Sequence, residues 1–487
     1  MEQTKRNIAI KVLSAVFAIA MILAMVFAIL PATAFTAHAA TGVAYVRKAD
    51  GSIKEYNSFA AAWNAAVAEN DATVGLYESY PNHQGENSYV LPENKTVTVE
   101  LNGYALMRNI TKSRDDGSVF EVKKNAKLIV YGGNKEDRTY GATVEHNQPV
   151  YVANDDRYGY TRRSVKLYGG LITGGNCNEG AGGIMMREGA NVYLYNVTVA
   201  GNYADNSGAS YGDGGGIYMD GNLGHLYMED SRICYNYAHD DGGGVMIHND
   251  FCTVEMIRSH IDHNIADDNG GGIFIEGERF QLYGDAEQFT EPESVISANK
   301  IKDWTGPYDY FLPDELGSSV SYNCVCDAED GGGGIYIDKE LVLIEGVNIV
   351  GNIATNDDDK GNGGGVYMDE ENNAALRRCN ILRNKADKLG GGVYVRGDDL
   401  ITDVDDNVIE NCTICMNLAW DTGGAGGGIY VYRYCDLGIS GKMIVRGNVS
   451  NGLANDNLYL SSDGAAVHAY IKPSLSAGSD VHVRTGG

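Results

Sequence analysis

Proline is scarce in this sequence, and no three-residue repeat occurs. Proline accounts for 8 of the 487 residues, whereas glycine accounts for 63. Collagen is excluded because its triple helix needs glycine at every third position together with abundant proline. A flexible glycine-rich linker is disfavoured, because β-branched and aromatic residues follow each glycine cluster at a constant spacing.

Positive charge is also scarce. There are 38 Lys and Arg residues against 65 Asp and Glu residues, and the formal net charge at pH 7 is −27. A surface this acidic repels nucleic acids and anionic lipids, and it favours solubility or divalent cations. We therefore expect no nucleic-acid partner and no cofactor. Calcium is the one ion left open, at acidic pairs such as Asp240-Asp241, although these lack the nonapeptide spacing of calcium-binding β-helix repeats.

Only one long hydrophobic run occurs, and it lies near the N-terminus. Three basic residues precede an apolar stretch over residues 12–30, and the small residues Ala37 and Ala39 follow it. This order is typical of a secretory signal peptide, here residues 1–39. The run is long enough to span a bilayer, so an uncleaved anchor is the alternative. We expect an extracellular protein, secreted or associated with a cell surface, without membrane contact after cleavage.

Zinc-binding cysteine spacings are absent as well. The nine cysteines lie between Cys177 and Cys435, and none forms the two matched pairs of a zinc ribbon. Cys379 and Cys412 occupy equivalent positions in consecutive copies of the repeat described next. This position predicts a buried stack of two thiols, with a disulfide as the alternative in an exported protein.

In place of these features the sequence has a repeat of about 28 residues. One element is a glycine cluster followed by Ile or Val, as in "DDGGGVMIHND" at 240–250. The second element is an Ile or Val three residues before an Asn. It occurs at Val199/Asn202, Ile233/Asn236, Ile261/Asn264, Val320/Asn323, Ile349/Asn352, Ile381/Asn384 and Ile414/Asn417.

Each glycine cluster precedes a segment with the period of a strand. In "GIYMD" the residues Ile217 and Met219 share one face, while Tyr218 and Asp220 share the other. Neither a helical repeat nor a leucine-rich pattern fits these copies. One copy therefore predicts one coil of a parallel β-helix, with equivalent strands stacked at roughly 4.8 Å. Glycine fits corners where stacked β-carbons would collide, and the recurring Asn predicts a ladder of amide hydrogen bonds.

These patterns divide the chain after the signal peptide into two parts. Residues 40–95 predict a small α/β N-terminal cap with a short helix from Phe59 to Ala68, which covers the exposed end of the solenoid. Residues 96–487 predict a β-helix of roughly 11 to 13 coils, with an inserted loop near 302–319. The fold class is accordingly all-β.

The repeat resembles a known group of bacterial proteins. The Gly-Gly-Gly-[Ile/Val] and [Ile/Val]-x-x-Asn elements are similar to the GGAI and FxxN repeats of polymorphic outer-membrane proteins. More broadly they resemble exported right-handed parallel β-helix proteins with a pectate-lyase-like fold. The chain departs from the outer-membrane group in having Ile or Val in place of Phe, and in lacking a C-terminal membrane barrel. The resemblance implies a right-handed fold and a surface location, and it implies almost nothing about activity.

The strand register predicts an outward row of aromatic residues beside the glycine corner. Its tyrosines are Tyr336, Tyr367, Tyr394 and Tyr430, together with Tyr218 further upstream. Rings about 4.8 Å apart offer a surface for sugar rings or a partner protein. The alternative is that the rings only stabilise the parallel strands by stacking.

Two residues further along each strand, the outward positions hold the side chains of an alternative enzymatic site. Polysaccharide lyases of this fold use carboxylates that hold calcium and a basic residue that abstracts a proton. Asp338, Asp369 and Arg396 offer these residue types on successive coils. The simpler interpretation is a solvated charged row with an Asp369–Arg396 pair. The pectin-hydrolase signatures of this fold are absent.

The inserted loop is the other candidate for binding. It contains Trp304, Tyr308 and Tyr310, and long loops on a rigid repeat scaffold often carry the binding residues. Folding of these rings back onto the coil is the alternative. The sequence thus favours a non-catalytic, adhesin-like protein that binds a glycan or a host or cell-surface protein. A carbohydrate-active enzyme and a passive surface stalk remain as alternatives.

Overall fold

The alternating segments after each glycine cluster form strands, and each strand pairs in parallel with its counterpart one repeat later. Ile217 lies opposite Val245, and Val245 lies opposite Ile273. Pairing continues in this way across inserted residues, since Ile273 lies opposite Ile335. The predicted all-β parallel β-helix is therefore confirmed.

The structure is a computed structural model. It describes residues 42–69, 71–81, 86–153, 160–205, 212–287, 317–326, 330–355, 361–369, 373–396, 407–432, 435–461 and 468–485, which belong to one unit beginning at Gly42. The predicted signal peptide, residues 1–39, lies outside the described residues. So do residues 302–316 of the predicted loop.

Each complete coil contributes one strand to each of four sheets, numbered here in chain order. Sheet 1 begins with antiparallel pairs and continues in parallel: Ile53–Tyr56, Ala44–Arg47, Ala72–Leu76, Thr96–Glu100, Lys127–Tyr131, Asn191–Tyr195, His225–Glu229, Thr253–Ile257, Gln281–Tyr283, Leu343–Glu345, Ala375–Arg377, Asn407–Glu410, Asp436–Gly441 and His468–Leu475. Sheet 2 is formed by Tyr80–Pro81, Ala105–Met107, Gly170–Thr173, Val197–Ala200, Arg232–Cys234, His260–Asp262, Ser319–Ser321, Asn348–Val350, Asn380–Leu382, Thr413–Cys415, Ile444–Arg446 and Asp480–Val481.

Sheets 3 and 4 complete the coil. Sheet 3 is formed by Asn176–Cys177, Tyr203–Ala204, Tyr237–Ala238, Ile265–Ala266, Cys324–Cys326, Ile353–Thr355, Lys385–Ala386, Leu418–Ala419, Val449–Ser450 and Leu453–Ala454, of which the last pair is antiparallel. Sheet 4 follows the glycine corner: Tyr89–Leu91, Phe120–Val122, Ile184–Arg187, Ile217–Asp220, Val245–Ile247, Ile273–Ile275, Ile335–Ile337, Val366–Met368, Val393–Val395, Ile429–Val431, Leu458–Leu460 and Val483–Thr485. The inward side chains of sheets 1, 2 and 4 form the main apolar core, and Ala204, Ala238 and Ala266 of sheet 3 form a small separate cluster.

The N-terminal cap contains a helix, α1, that spans Phe59–Ala68. The Ser58 side chain accepts a hydrogen bond from the Ala61 amide and thereby caps the helix. Phe59 and Trp63 are buried and belong to the same apolar cluster as the inward side chains of the coils. Among the described residues, no helix is long and apolar enough to span a membrane.

The recurring Asn residues form the predicted ladder. The Asn236 side-chain amide donates to Asn264 Oδ1 at 3.0 Å, and the Asn264 amide donates to Asn323 Oδ1 at 3.0 Å. Each Asn also bonds to the backbone; for example, Asn264 Nδ2 donates to Ile233 O at 2.9 Å. The ladder extends beyond the seven predicted residues to Asn448 and Asn457. Asn264 is 0% exposed, so its hydrogen bonds replace water on every side.

The glycine triplets are needed for two different reasons. The first glycine of a triplet has a left-handed backbone, as at Gly242 with a φ of 66°. The third glycine has no room for a side chain, because a β-carbon on Gly244 would lie 2.6 Å from Gly272 O. Both demands recur in the coils whose triplets begin at Gly214, Gly242, Gly270, Gly332, Gly363, Gly390 and Gly426, which explains why the triplet is repeated.

One element interrupts the coils and was not predicted from the sequence. The strands Glu145–Ala153 and Tyr160–Tyr168 form an antiparallel hairpin between a sheet 1 strand and the following sheet 2 strand. Val150 and Leu167 of this hairpin are buried. Its alternation of apolar and polar residues resembles that of the other strands, so nothing in the repeat spacing marked it as an insertion.

Polar and sulfur-containing side chains form a further ladder at the corner between sheets 1 and 2. The Ser231 amide donates to Ser259 Oγ at 3.1 Å, and the Cys379 amide donates to Cys412 Sγ at 3.4 Å. Both cysteines are free and buried. The structure therefore has the stacked thiols that were expected, and not the alternative disulfide.

We predict that Asn264→Ala strongly destabilises the fold. The change removes the acceptor of the Asn236 backbone amide and of one of its two side-chain amide hydrogen bonds, and it removes the side-chain donor to the buried carbonyl of Ile233. A buried unsatisfied group costs about 1–3 kcal/mol, so the free energy of unfolding should fall by roughly 3 kcal/mol or more. Chemical denaturation measures this change. Asn222→Ala, at an exposed position, is the control and should change stability by less than about 1 kcal/mol. Equal stabilities of the two variants would contradict a structural role for the ladder.

Candidate binding surface

The predicted outward row of tyrosines on sheet 4 is buried. Tyr336, Tyr367, Tyr394 and Tyr430 are 3%, 1%, 4% and 6% exposed. We call these four residues the buried tyrosine row. Their ring centroids are 4.7, 4.7 and 5.6 Å apart in sequence order. The expectation that this row is an exposed platform is therefore wrong for these residues, and the stacking interpretation describes their geometry.

The glycine corner explains why the row is buried. The left-handed first glycine of each triplet folds the chain back over the strand that follows it. A β-carbon on Gly332 would lie 2.8 Å from Tyr336 Cβ, and one on Gly363 would lie 2.9 Å from Tyr367 Cβ. Further along the row, Leu389 of this corner packs against the rings. Side chains that leave the core on sheet 4 thus enter a second covered layer.

The hydroxyl groups of the row join a network of charged residues. Tyr336 donates to Asp369 Oδ2 at 2.5 Å, and Tyr367 donates to Asp330 Oδ1 at 3.4 Å. Arg396 lies 3.4 Å from Asp369 and 3.6 Å from Asp330. The network therefore links the glycine corner to the charged row at the end of each sheet 4 strand.

Two of the three proposed lyase residues are paired with each other. Asp369 is 10% exposed and is held by both Arg396 and Tyr336. Asp338 pairs with the adjacent Lys339 at 3.0 Å, and burial raises the pKa of Asp338 despite that lysine. Proton abstraction requires a basic group that faces the substrate. Arg396 is already engaged by two carboxylates, so the geometry corresponds to the ion-paired charged row that was the simpler interpretation.

The aromatic residues of the inserted loop cannot be placed. Trp304, Tyr308 and Tyr310 all lie outside the described residues. Their role in binding stays a prediction.

A different group of tyrosines lies on the outer face of sheet 1. Tyr131, Tyr193, Tyr195 and Tyr227 come from three consecutive strands of this sheet, and we call them the tyrosine platform. Tyr131 and Tyr195 stack with centroids 5.0 Å apart and planes 15° apart. Tyr227 lies 5.6 Å from Tyr195 and 5.9 Å from Tyr193. Tyr193, Tyr195 and Tyr227 are half-buried, so part of each ring faces solvent.

Charged side chains surround the platform. The Arg138 guanidinium lies 4.1 Å from the centroid of Tyr195 and 2.7 Å from Glu229. The Lys127 ammonium lies 4.5 Å from the centroid of Tyr193. Tyr227 donates to Glu229 Oε2 at 3.3 Å, and burial followed by the Glu229 charge raises the pKa of Tyr227 to about 12. The platform thus combines aromatic surface with both donors and acceptors.

The platform was missed in the sequence, although its signal is present there. The segments "KLIVY", "NVYLY" and "HLYME" alternate, and each places a tyrosine outward on a sheet 1 strand. The segments "NVYLY" and "HLYME" lie about ten residues after a glycine cluster, and "KLIVY" lies ten residues after the single Gly117. Alternation marks outward residues on sheet 1 as well as on sheet 4, and it does not distinguish an exposed face from a covered one.

Buried carboxylates form another ladder, at the corner between sheets 3 and 4. The Asp241 amide donates to Asp213 Oδ1 at 3.2 Å, and the Asn269 amide donates to Asp241 Oδ1 at 2.8 Å. Burial raises the pKa of Asp213 to about 7, and nearby Asp240 and Glu276 act in the same direction. Burial and the Asp213 charge raise the pKa of Asp241 well above its ordinary value.

Within the part of the chain that the structure describes, no group of three or more His, Cys, Asp or Glu side chains is arranged to hold a metal ion. Binding of calcium at acidic corners stays a prediction. One of these corners, Asp357–Asp359, lies outside the described residues.

Comparison with known proteins leaves the family open. No protein-family model matches the sequence, and no curated protein matches it either. The resemblance to polymorphic outer-membrane and pectate-lyase-like proteins is therefore shown only at the level of the parallel β-solenoid.

We predict that the buried tyrosine row is needed mainly for stability. Tyr367→Ala removes a ring that is 1% exposed, and such a loss in a packed interior costs about 3–5 kcal/mol. Tyr367→Phe keeps the ring and removes one long hydrogen bond, so it should cost about 1 kcal/mol or less. Thermal unfolding of both variants tests this order. Similar melting temperatures for Tyr367→Ala and the native protein would disprove it.

We predict that Asp213 makes stability depend on pH. The pKa of Asp213 rises from 3.8 in the unfolded chain to about 7 in the fold, so the folded protein binds the proton more tightly. This contribution is fully present below about pH 4 and is lost as the pH rises through about 7.

An Asn side chain resembles a protonated Asp, and Asn269 already occupies the equivalent position on another coil. We therefore expect the fold to accept Asp213→Asn. The difference in unfolding free energy between this variant and the native protein should therefore change between pH 5 and pH 8. The variant should gain on the order of 2–4 kcal/mol relative to the native protein over this interval. Denaturant titrations at the two pH values measure it. A constant difference would rule out the raised pKa.

Proposed function

We propose that this chain is an exported, non-catalytic binding protein whose β-helix presents the tyrosine platform of sheet 1 to a glycan. Export rests on the N-terminal signal-like segment, and surface location and right-handedness rest on the resemblance to bacterial β-helix proteins. The observation that carries the binding proposal is the half-buried state of Tyr193, Tyr195 and Tyr227 on one face.

The chemistry of the platform suits a sugar ring. A pyranose has an apolar face that can lie on an aromatic ring and hydroxyl groups that need hydrogen-bond partners. Tyr193 and Tyr227 supply rings 5.9 Å apart, and Glu229 supplies acceptors at the edge. His225 also lies at this edge, with its ring 5.5 Å from that of Tyr193. Two adjacent rings favour a ligand of at least two sugar units.

A protein partner is the second candidate for the same face. Tyrosine and arginine are enriched among the residues that dominate protein interfaces, and Arg138 lies directly on Tyr195. A polysaccharide lyase has less support, because Asp369, Arg396 and the Tyr336 hydroxyl bond to one another.

The proposal predicts that Tyr227→Ala weakens glycan binding by at least tenfold. Truncation of an anchoring aromatic residue costs about 2 kcal/mol or more, and about 1.4 kcal/mol corresponds to a factor of ten in Kd. A glycan array screened with the chain lacking residues 1–39 would supply the ligand, and calorimetry would supply Kd. Tyr168→Ala is the matched control, since Tyr168 is 53% exposed on the hairpin and is not part of the platform.

Two results would contradict the proposal. One is the absence of binding across neutral and acidic glycans at millimolar concentration. The other is an equal loss of affinity in Tyr227→Ala and Tyr168→Ala. Binding to a matrix protein that depends on Tyr227 would favour the second candidate.

A further inference from the structure

A row of exposed apolar side chains occupies the turn between sheets 4 and 1. Leu223, Phe251 and Leu341 are 62%, 47% and 41% exposed. The register of the following strands places them on neighbouring coils, with Arg279 between Phe251 and Leu341. We call these four residues the corner row. Burial normally removes side chains of this size from water, so their clustering on one edge requires a reason.

The backbone of this turn does not require apolar residues. Leu223, Phe251 and Leu341 have φ values of 62°, 59° and 60°, in the left-handed region that favours Asn and Gly. The equivalent turns of other coils contain Asn94, Asn125, Gly189 and Asn373, with φ values of 58°, 55°, 63° and 77°. The corner row therefore has side chains that the fold disfavours and does not bury.

The row also has space beside it. An open cavity of about 560 Å³ lies along the row and is lined by Leu223, Phe251, Thr253, Arg279, Gln281 and Leu341. The Arg279 guanidinium lies 5.2 Å from the centroid of Phe251. Apolar atoms thus line a recess that another molecule can enter.

Carboxylates border this recess. Asp250, Glu278 and Glu340 directly precede Phe251, Arg279 and Leu341 on three successive coils, whereas Asn222 precedes Leu223. Arg279 lies 3.1 Å from Glu278 and balances that one charge. The border is therefore negative, in agreement with the net charge of −27 for the whole chain.

We propose that the corner row is a docking site for a basic amphipathic helix of a partner protein. The row extends over three coil steps, roughly 14 Å. Apolar side chains at positions i, i+4 and i+8 of a helix extend over roughly 12 Å, so one such stripe covers the row. Lys and Arg on either side of the stripe would face the carboxylates.

Charge decides against two other occupants. A second copy of this chain would bring the same carboxylates against the row, and like charges at an interface oppose association. An anionic membrane would meet the same repulsion. The docking site is separate from the tyrosine platform and goes beyond the function proposed above.

A synthetic peptide of about 18 residues, with Leu at every third or fourth position and Lys elsewhere, tests the proposal. Fluorescence anisotropy should detect its binding to the native protein, with an affinity that decreases as salt is raised. Phe251→Asn and Leu341→Asn should each weaken binding at least tenfold. Asn is the residue that other coils use at this φ, so both variants should melt at or above the temperature of the native protein.

Two controls accompany these variants. Leu453→Asn changes an apolar residue that is 52% exposed and lies on sheet 3, and it should bind the peptide as the native protein does. A peptide with Glu in place of Lys should not bind.

Several outcomes would overturn the proposal. They are an affinity of Phe251→Asn equal to that of the native protein, no binding of the basic peptide, and equal binding of the acidic peptide. Self-association in sedimentation experiments that Phe251→Asn abolishes would assign the row to a second copy. Binding to vesicles that Phe251→Asn abolishes would assign it to a lipid surface.

Discussion

The stacking of coils at the spacing of one strand is the constraint on which the rest of this structure depends. Each residue of a parallel strand lies directly above its counterpart one repeat earlier, at roughly 4.8 Å, so the side chains at equivalent positions must be able to pack against one another. Asn satisfies this demand in the interior by bonding to the next Asn, as between Asn236 and Asn264 at 3.0 Å. Aromatic residues satisfy it by stacking, and glycine satisfies it where no side chain fits.

The same stacking is unfavourable where side chains of like charge lie on successive coils. Asp213 and Asp241 lie on successive coils with little solvent, and burial is the largest cause that raises the pKa of each. Neighbouring carboxylates act in the same direction, Asp240 on Asp213 and Asp213 on Asp241. Opposite charges remove the cost elsewhere, as in the Arg396–Asp369 pair. The stability of a solenoid with a net charge of −27 therefore depends on the positions at which its carboxylates stack, as well as on their number.

Sequence reasoning recovered the features that depend on local spacing. The fold class, the glycine corners and the Asn ladder follow from residues at fixed offsets, and the Phe59–Ala68 helix follows from composition. The burial of Tyr336 and Tyr367 could not be derived in this way, because the residues that cover and bind them, Asp369 and Asp330, belong to other coils or to the folded-back corner. Alternation identifies which side chains leave the core, but it cannot say whether a corner covers them afterwards.

Sheet 4 covers the buried tyrosine row, whereas sheet 1 leaves Tyr193, Tyr195 and Tyr227 half-buried with part of each ring in solvent. Chemical nitration followed by mass spectrometry measures the accessibility of each tyrosine in the native protein. We expect rapid modification of Tyr193 and Tyr227, together with protection of Tyr336, Tyr367 and Tyr394. Modification of Tyr367 as rapid as that of Tyr227 would contradict the covered row and, with it, the choice of sheet 1 as the binding face.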